Sequence, residues 1–242
     1  VGDLRGVLSK LDYLQSLGVT AVWLCPIYPS PNVDNGYDIS DYKAIAPEFG
    51  TMADFELMLS EMHRHGLRLI MDMVFNHTSG QHPWFQQAIS DPASPYRNYY
   101  FFRDGQDGGP PNNWASHFSF SAWQKEPYGK QYYLHLYATE QPDLNWDCPA
   151  VREEVFSVLN FWKQKGVDGF RLDVINDVSK TPDLPAMPGE SLQLAVPYFA
   201  NGPHIHEYLR EMNLRVLEGT ELMTVGEMVF VTPEQARLYT AE

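Results

Sequence analysis

The sequence is short of positive charge. It has 17 Lys and Arg against 31 Asp and Glu, a formal net charge of −14. A nucleic-acid-binding face needs an excess of cations to displace counterions from phosphates, so no nucleic-acid partner is expected. Cysteine is nearly absent. Cys25 and Cys148 are the only two, which cannot make a disulfide framework. Cys25 closes an apolar run and reads as a small core residue, and that points to a reducing, cytoplasmic setting. No apolar stretch reaches the roughly 18 residues a membrane helix needs, and no signal-peptide pattern is visible, so no membrane partner is expected. The chain opens without Met and inside a helical pattern, from which a true N-terminus further upstream is expected.

What is present is a globular composition, 44% hydrophobic and 20% charged, enough for one large domain or two small ones. Leu4, Val7, Leu8, Leu11, Leu14 and Leu17 recur at helical spacing. Gly18 stops that helix, and Val19–Cys25 reads as a buried strand. Thr51 with Asp54 three residues on is a capping-box start for a helix carrying Phe55, Met58, Leu59 and Met62. Leu67–Met73 is the next strand. After a long break, Pro149 opens a helix through Trp162 that Gly166 closes, followed by the strand at Gly169–Asp173. A helix from Pro203, the strand Leu222–Glu227 and a helix from Pro233 complete the pattern. The strands read as continuous apolar runs, which belong to a parallel sheet covered by helices.

Between His77 and Asp147 the regularity fails, in some 70 residues rich in aromatics, Pro, Gly and Asn. That is too long for an ordinary loop, and it reads as an irregular inserted subdomain with a strand at Gln131–Leu136. Residues 1–77 and 148–242 are then two barrel parts flanking an insertion at 78–147. Eight βα units in about 250 residues close a barrel; four strands and a large insertion make part of one. The fold class is α/β, a partial (β/α)8 barrel. Such a piece leaves apolar sheet edges unpaired, so poor solubility is expected of it alone.

Parallel βα folds place active sites at the C-terminal ends of strands. Polar residues gather at these ends: Asp34 and Tyr37 after the first strand, Asn76 and His77 after the second, Arg171 and Asp173 on the third, and Glu227 on the fourth. Arg171 and Asp173 are two apart, so in a strand they share a face. The guanidinium keeps the carboxylate ionised, as suits a nucleophile. Two carboxyls in unequal environments fit the nucleophile and acid/base of a retaining glycosidase. Taken singly, each residue has a blander reading: Arg171–Asp173 as a structural ion pair, Asp34 as a turn residue before Asn35-Gly36, Tyr37 as packing, His77 as a support behind the site, and Glu227 as a surface residue. The His63/His65 and His204/His206 pairs have i, i+2 spacing, which on a helix does not bring two ligands together.

Asp72-Met73-Val74-Phe75-Asn76-His77, Gly169 to Asn176, and Val225-Gly226-Glu227-Met228 resemble three short regions of the α-amylase family of glycoside hydrolases, and the likeness covers essentially the whole chain. Gln141-Pro142-Asp143-Leu144-Asn145-Trp146 resembles the fingerprint of its oligo-1,6-glucosidase branch. The resemblance implies Asp173 as the nucleophile, Glu227 as the acid/base and Arg171 as the orienter of Asp173. It implies that Asp34, Tyr37 and His77 grip a terminal glucose in a blind pocket, which makes the enzyme exo-acting on small oligosaccharides. Val174, after the nucleophile, is similar to the α-1,6-preferring state; trehalose-6-phosphate hydrolases, the alternative, share it. The chemistry requires no cofactor. Val1-Gly2-Asp3 resembles the end of a calcium loop, of which only Asp3 supplies a carboxylate, so a structural calcium is an expectation for a complete protein alone. The resemblance also implies a monomer, and a third carboxylate beyond Glu242 without which the chain is inactive. A non-catalytic α-glucosidase-like scaffold is the rival class.

Overall fold

The computed structural model describes residues 2–118, 120–127 and 129–240. The first helical pattern is divided: α1 (Leu4–Leu8) and α2 (Leu11–Ser16) replace the single helix expected over Leu4–Leu17. The Ser9 hydroxyl donates back to the Gly6 carbonyl, and Lys10 leaves helical geometry with φ −116° and ψ 9°, which is how a Ser competes with the backbone ladder. β1 (Ala21–Leu24) follows, then α3 (Met52–Arg64) and β2 (Arg68–Val74). The Thr51–Asp54 capping box forms in both directions.

The long irregular region contains a helix after all. α4 (Pro83–Ser90) has Pro83 in its first turn and the His82 ring nitrogen accepting from the Trp84 N–H. At eight residues it is too short to show a helical period. β3 (Phe102–Asp104), β4 (Trp114–Ala115), β5 (Trp123–Lys125) and β6 (Gln131–Leu134) follow. β3, β6 and β5 form a small antiparallel sheet, over a separate core that includes Trp114, Phe101, Leu134 and Phe199. α5 (Pro149–Lys165) ends at Gly166 in the left-handed region, φ 94°, where a glycine carries no Cβ penalty. Next come β7 (Gly169–Asp173), β8 (Gln193–Leu194, paired with β4), α6 (Val196–Phe199) and α7 (Ile205–Met212). A π turn at Asn213–Leu217 leads to β9 (Met223–Gly226) and α8 (Pro233–Thr240).

The main sheet is parallel, in the order β1-β2-β7-β9. Its register sets Asp72 beside Arg171, Val74 beside Asp173 and Leu172 beside Gly226. Gly169 permits the close approach: a Cβ there would lie 2.2 Å from the Met223 carbonyl oxygen and 2.8 Å from Ile70 Cδ1. The helix side of the sheet is sealed by Phe55, Met58, Leu59, Met62 and Trp162, all fully or nearly fully buried. The Trp162 ring meets Phe55 edge-on at 5.0 Å.

β2 and β7 are buried almost throughout, whereas β1 is half-exposed and β9 fully exposed. The expectation of a buried first strand is therefore corrected. Cys25 likewise is exposed, not a core residue: it ends an edge strand, where no neighbour covers it on one side. Among the described residues no helix is long and apolar enough to cross a membrane.

Candidate active site

Arg171 stands at the centre of the open face of the sheet. Its Nη1 donates to Asp173 Oδ1 at 2.6 Å and to Asp72 Oδ1 at 2.7 Å, and its Nη2 donates to Glu227 Oε2 at 2.6 Å. One cation thus gathers three carboxylates from three strands. The alternation of β7 supplies Arg171 and Asp173, the register supplies Asp72, and the residue just past β9 supplies Glu227. The Trp23 and Tyr37 rings lie 5.0 and 5.6 Å from the guanidinium carbon, within cation–π range. Trp23 Nε1 and the Tyr37 hydroxyl also donate to Asp72 Oδ2, at 3.1 and 3.0 Å.

Beside this centre a second group forms around His77. Gln141 Nε2 donates to Asp34 Oδ2 at 3.0 Å and lies 3.1 Å from His77 Nε2. Asn76 Nδ2 donates to His77 Nδ1 at 3.2 Å. That assigns the ring proton to Nε2, which faces the Tyr37 carbonyl at 3.1 Å. Burial lowers the His77 pKa and keeps the ring neutral. Behind His77, Lys180 Nζ reaches Asp143 Oδ2 at 2.8 Å and Asn76 Oδ1 at 2.9 Å, with all three residues fully or almost fully buried. The other oxygen of Asp143 accepts from the Leu136 N–H at 2.8 Å. Lys180 therefore ties the loop after β7 to both the His77 segment and the insertion.

Electrostatically the centre is short of cations. Burial pushes the Asp173 carboxyl up to about 8; Asp72 and Glu227 add like-charge repulsion, and Arg171 opposes both. Burial also raises Asp72, again against the pull of Arg171. The sequence reading that a guanidinium alone keeps Asp173 ionised omits this: the guanidinium is shared among three carboxylates. A nucleophile and a proton donor need carboxyls in unequal environments. Asp173 is nearly buried, while the Glu227 side chain is 45% exposed; the environments differ, but burial favours a proton on Asp173, which a nucleophile must lose before it can act.

The turn after Asp173 is strained. Val174 sits at φ 36°, ψ 44°, a left-handed conformation costly for a β-branched residue. It is fixed by the Asp177 N–H donating to the Val174 carbonyl, and by the Ile175 N–H donating to the Glu227 carbonyl at 3.1 Å. The Asn176 amide clasps the loop after Glu227 at two points, donating to the Val229 carbonyl at 2.8 Å and accepting from its N–H at 3.1 Å. The sequence-derived residues Asp34, Tyr37, His77, Arg171, Asp173 and Glu227 thus fall into one connected region, and Val174 forms its hinge.

Asp3 lies apart from that region. Its carboxylate accepts from the Gly6 N–H at 2.6 Å as the cap of α1. Among the described residues no group of three His, Cys, Asp or Glu side chains is placed to hold a metal ion. Asp3 supplies one carboxylate toward the six to eight oxygens a calcium takes, so a structural calcium stays a proposal for the protein at its full encoded length.

Sequence reasoning passed over Asp72, Trp23, Gln141 and Lys180 as functional positions. For Asp72 a signal existed: a carboxylate in the middle of an otherwise apolar strand is costly unless paired. Lys180 offered none, because its partners lie far away along the chain.

The parallel α/β sheet, with carboxylates gathered at its strand ends, is part of a (β/α)8-barrel domain. Residues 1–242 match the alpha-amylase catalytic domain, and the chain belongs to that family. It is 54% identical to an oligo-1,6-glucosidase of Parageobacillus thermoglucosidasius, over 99% of this chain and 43% of that protein. It is 51% identical to a trehalose-6-phosphate hydrolase of Escherichia coli, again over 99% and 43%. The solved isomaltulose synthase of Klebsiella superposes with a TM-score of 0.95 at 49% identity, over 99% of this chain and 43% of that one. The chain spans less than half the length of these relatives.

Proposed function

We propose that the protein carrying this chain is a retaining, exo-acting α-glucosidase that releases glucose from α-1,6-linked gluco-oligosaccharides such as isomaltose. The observation that carries the reading is the single guanidinium binding both Asp173 and Glu227. Arg171 holds Asp173 Oδ1 on Nη1 and Glu227 Oε2 on Nη2, each at 2.6 Å, and a retaining enzyme needs its two carboxyls on one small site. Asp173 attacks the anomeric carbon and forms a glucosyl ester as the glycosidic oxygen departs with a proton from Glu227. Glu227 then takes a proton from water, whose oxygen attacks the same carbon and frees Asp173. Two inversions give net retention. Asp34, Tyr37 and His77 grip the terminal ring, and their fixed positions act where charge develops. A reducing, cytoplasmic setting belongs to this reading, with Cys25 and Cys148 both free thiols.

The second reading is a trehalose-6-phosphate hydrolase, supported by nearly equal identity to a relative of that name. Proton NMR on the protein at its full encoded length separates them. The first reading predicts rapid turnover of isomaltose, slow turnover of trehalose 6-phosphate and, on an aryl α-glucoside whose only sugar product is glucose, α-glucose appearing before its β anomer. The reverse preference rejects the substrate; β-glucose appearing first rejects the mechanism.

A further inference from the structure

A fully buried carboxylate and a half-buried imidazole close to the site have no part in the hydrolytic chemistry. His117 lies in the insertion between β4 and β5, and Asp177 lies in the turn after the nucleophile strand. They meet around Tyr137. The Tyr137 hydroxyl donates to Asp177 Oδ2 at 3.1 Å. The His117 ring stacks on Tyr137 almost parallel, at 4.6 Å and 7°. On another side the Tyr137 ring packs against His77 at 5.2 Å. His117 Nε2 is 3.9 Å from Asp177 Oδ2. Among the described residues, His117 Nε2 and Asp177 Oδ1 have no hydrogen-bond partner. A small rotation of the ring brings the N–H into range of the carboxylate.

Such groups are costly in a core, where apolar side chains fill the same volume more cheaply. Burial pushes Asp177 up to about 7, with Asp143 and Glu227 repelling it further and Lys180 and the Tyr137 hydroxyl opposing. Burial lowers His117, against the field of Asp143. What the pair obtains structurally is a bridge from the insertion to the nucleophile turn, with one aromatic ring clamped between.

We propose that His117 and Asp177 are positioning residues that clamp Tyr137 against His77 and so set the wall that binds the terminal glucose. The proposal rests on the reading of His77 as a glucose contact. With the clamp open, the Tyr137 ring is free to turn and His77 loses its backing. Substrate affinity then suffers more than the bond-breaking step, because Asp173, Glu227 and Arg171 keep their own contacts.

The test uses the protein at its full encoded length, with Asp177→Leu, Asp177→Asn and His117→Phe compared against wild type. Isomaltose and trehalose 6-phosphate are the substrates, and the nitrogen resonances of the His77 imidazole give a second readout. Asp177→Leu is expected to raise KM about tenfold while kcat changes less than about threefold, and to move the His77 resonances. Asp177→Asn, which keeps an acceptor for Tyr137, restores most of both. His117→Phe keeps the stack without the N–H and falls between them, and it serves if Asp177→Leu fails to fold. A lower unfolding midpoint with KM and the His77 resonances unchanged overturns the proposal, as does a fall in kcat alone. Should wild type turn over trehalose 6-phosphate and not isomaltose, the substrate reading fails and KM is read on the former. Should it turn over neither, the activity reading fails and the His77 resonances decide the clamp.

Discussion

The two central strands and the two edge strands of one sheet differ sharply. β2 and β7 are buried on both faces and carry Asp72, Arg171 and Asp173, whereas β1 and β9 are open to solvent and carry Trp23 and, just past the end of β9, Glu227. The Asp173 side of the site is thus built into the core, with Lys180 and Asp143 locking it from behind. The Glu227 side rests on the last strand of this chain, fixed by a guanidinium, two backbone bonds and the Asn176 clasp.

The largest contrast concerns rate. Asp173→Asn is expected to remove turnover of every glucoside, because no other group forms the ester. Glu227→Gln should cost about 10²–10⁴-fold on isomaltose and far less on an aryl glucoside whose leaving group needs no proton. Kinetics on the two substrates check this; equal losses for both variants on both substrates would erase the division of roles.

Stability should divide in the same way. Lys180→Met strands the Asp143 carboxylate in the core and is expected to cost about 3–5 kcal/mol. Arg215→Ala, near β9, breaks the bidentate pair with Glu153, whose side chains are 48% and 58% exposed. It should cost less than about 1 kcal/mol. Denaturant unfolding measures both.

A smaller effect follows from the raised Asp173 pKa. Its folded value of about 8 lies above the ordinary carboxylate range, so between pH 4 and 8 the folded state holds more protons than the unfolded one. Stability should therefore fall as pH rises through that window. Asp173→Asn should flatten the fall and raise the unfolding midpoint by several degrees near pH 8 while remaining inactive. In wild type the same carboxyl must lose its proton to act, so kcat/KM should decline on acidification with an apparent midpoint above the usual range for Asp. That midpoint belongs to the Asp72–Asp173–Glu227 group as a whole.

Much of the central region was legible in the sequence. A strand buried on both faces writes itself as an uninterrupted apolar run, so β2 and β7 stand out, and a polar pair two residues apart at the end of β7 marks a shared face. Glu227 and His77 follow from their positions just beyond strands. The edges were misread for the same reason: Val19–Cys25 is as apolar as a core strand, and apolar character cannot say whether a neighbour covers it. Long-range pairings were invisible. Nothing local joins Lys180 to Asp143, or His117 to Asp177, and α4 is too short to show a period.

The most direct test of the account is to trap the glucosyl intermediate. The protein at its full encoded length is incubated with a fluorinated glucosyl fluoride, whose ring fluorine slows hydrolysis of the ester, and its peptides are mapped by mass spectrometry. The account predicts one added fluoroglucosyl group, on the peptide containing Asp173, and none in Asp173→Asn. Label on Glu227, or rapid turnover of the reagent without any label in a protein that inverts the anomeric carbon, would contradict it.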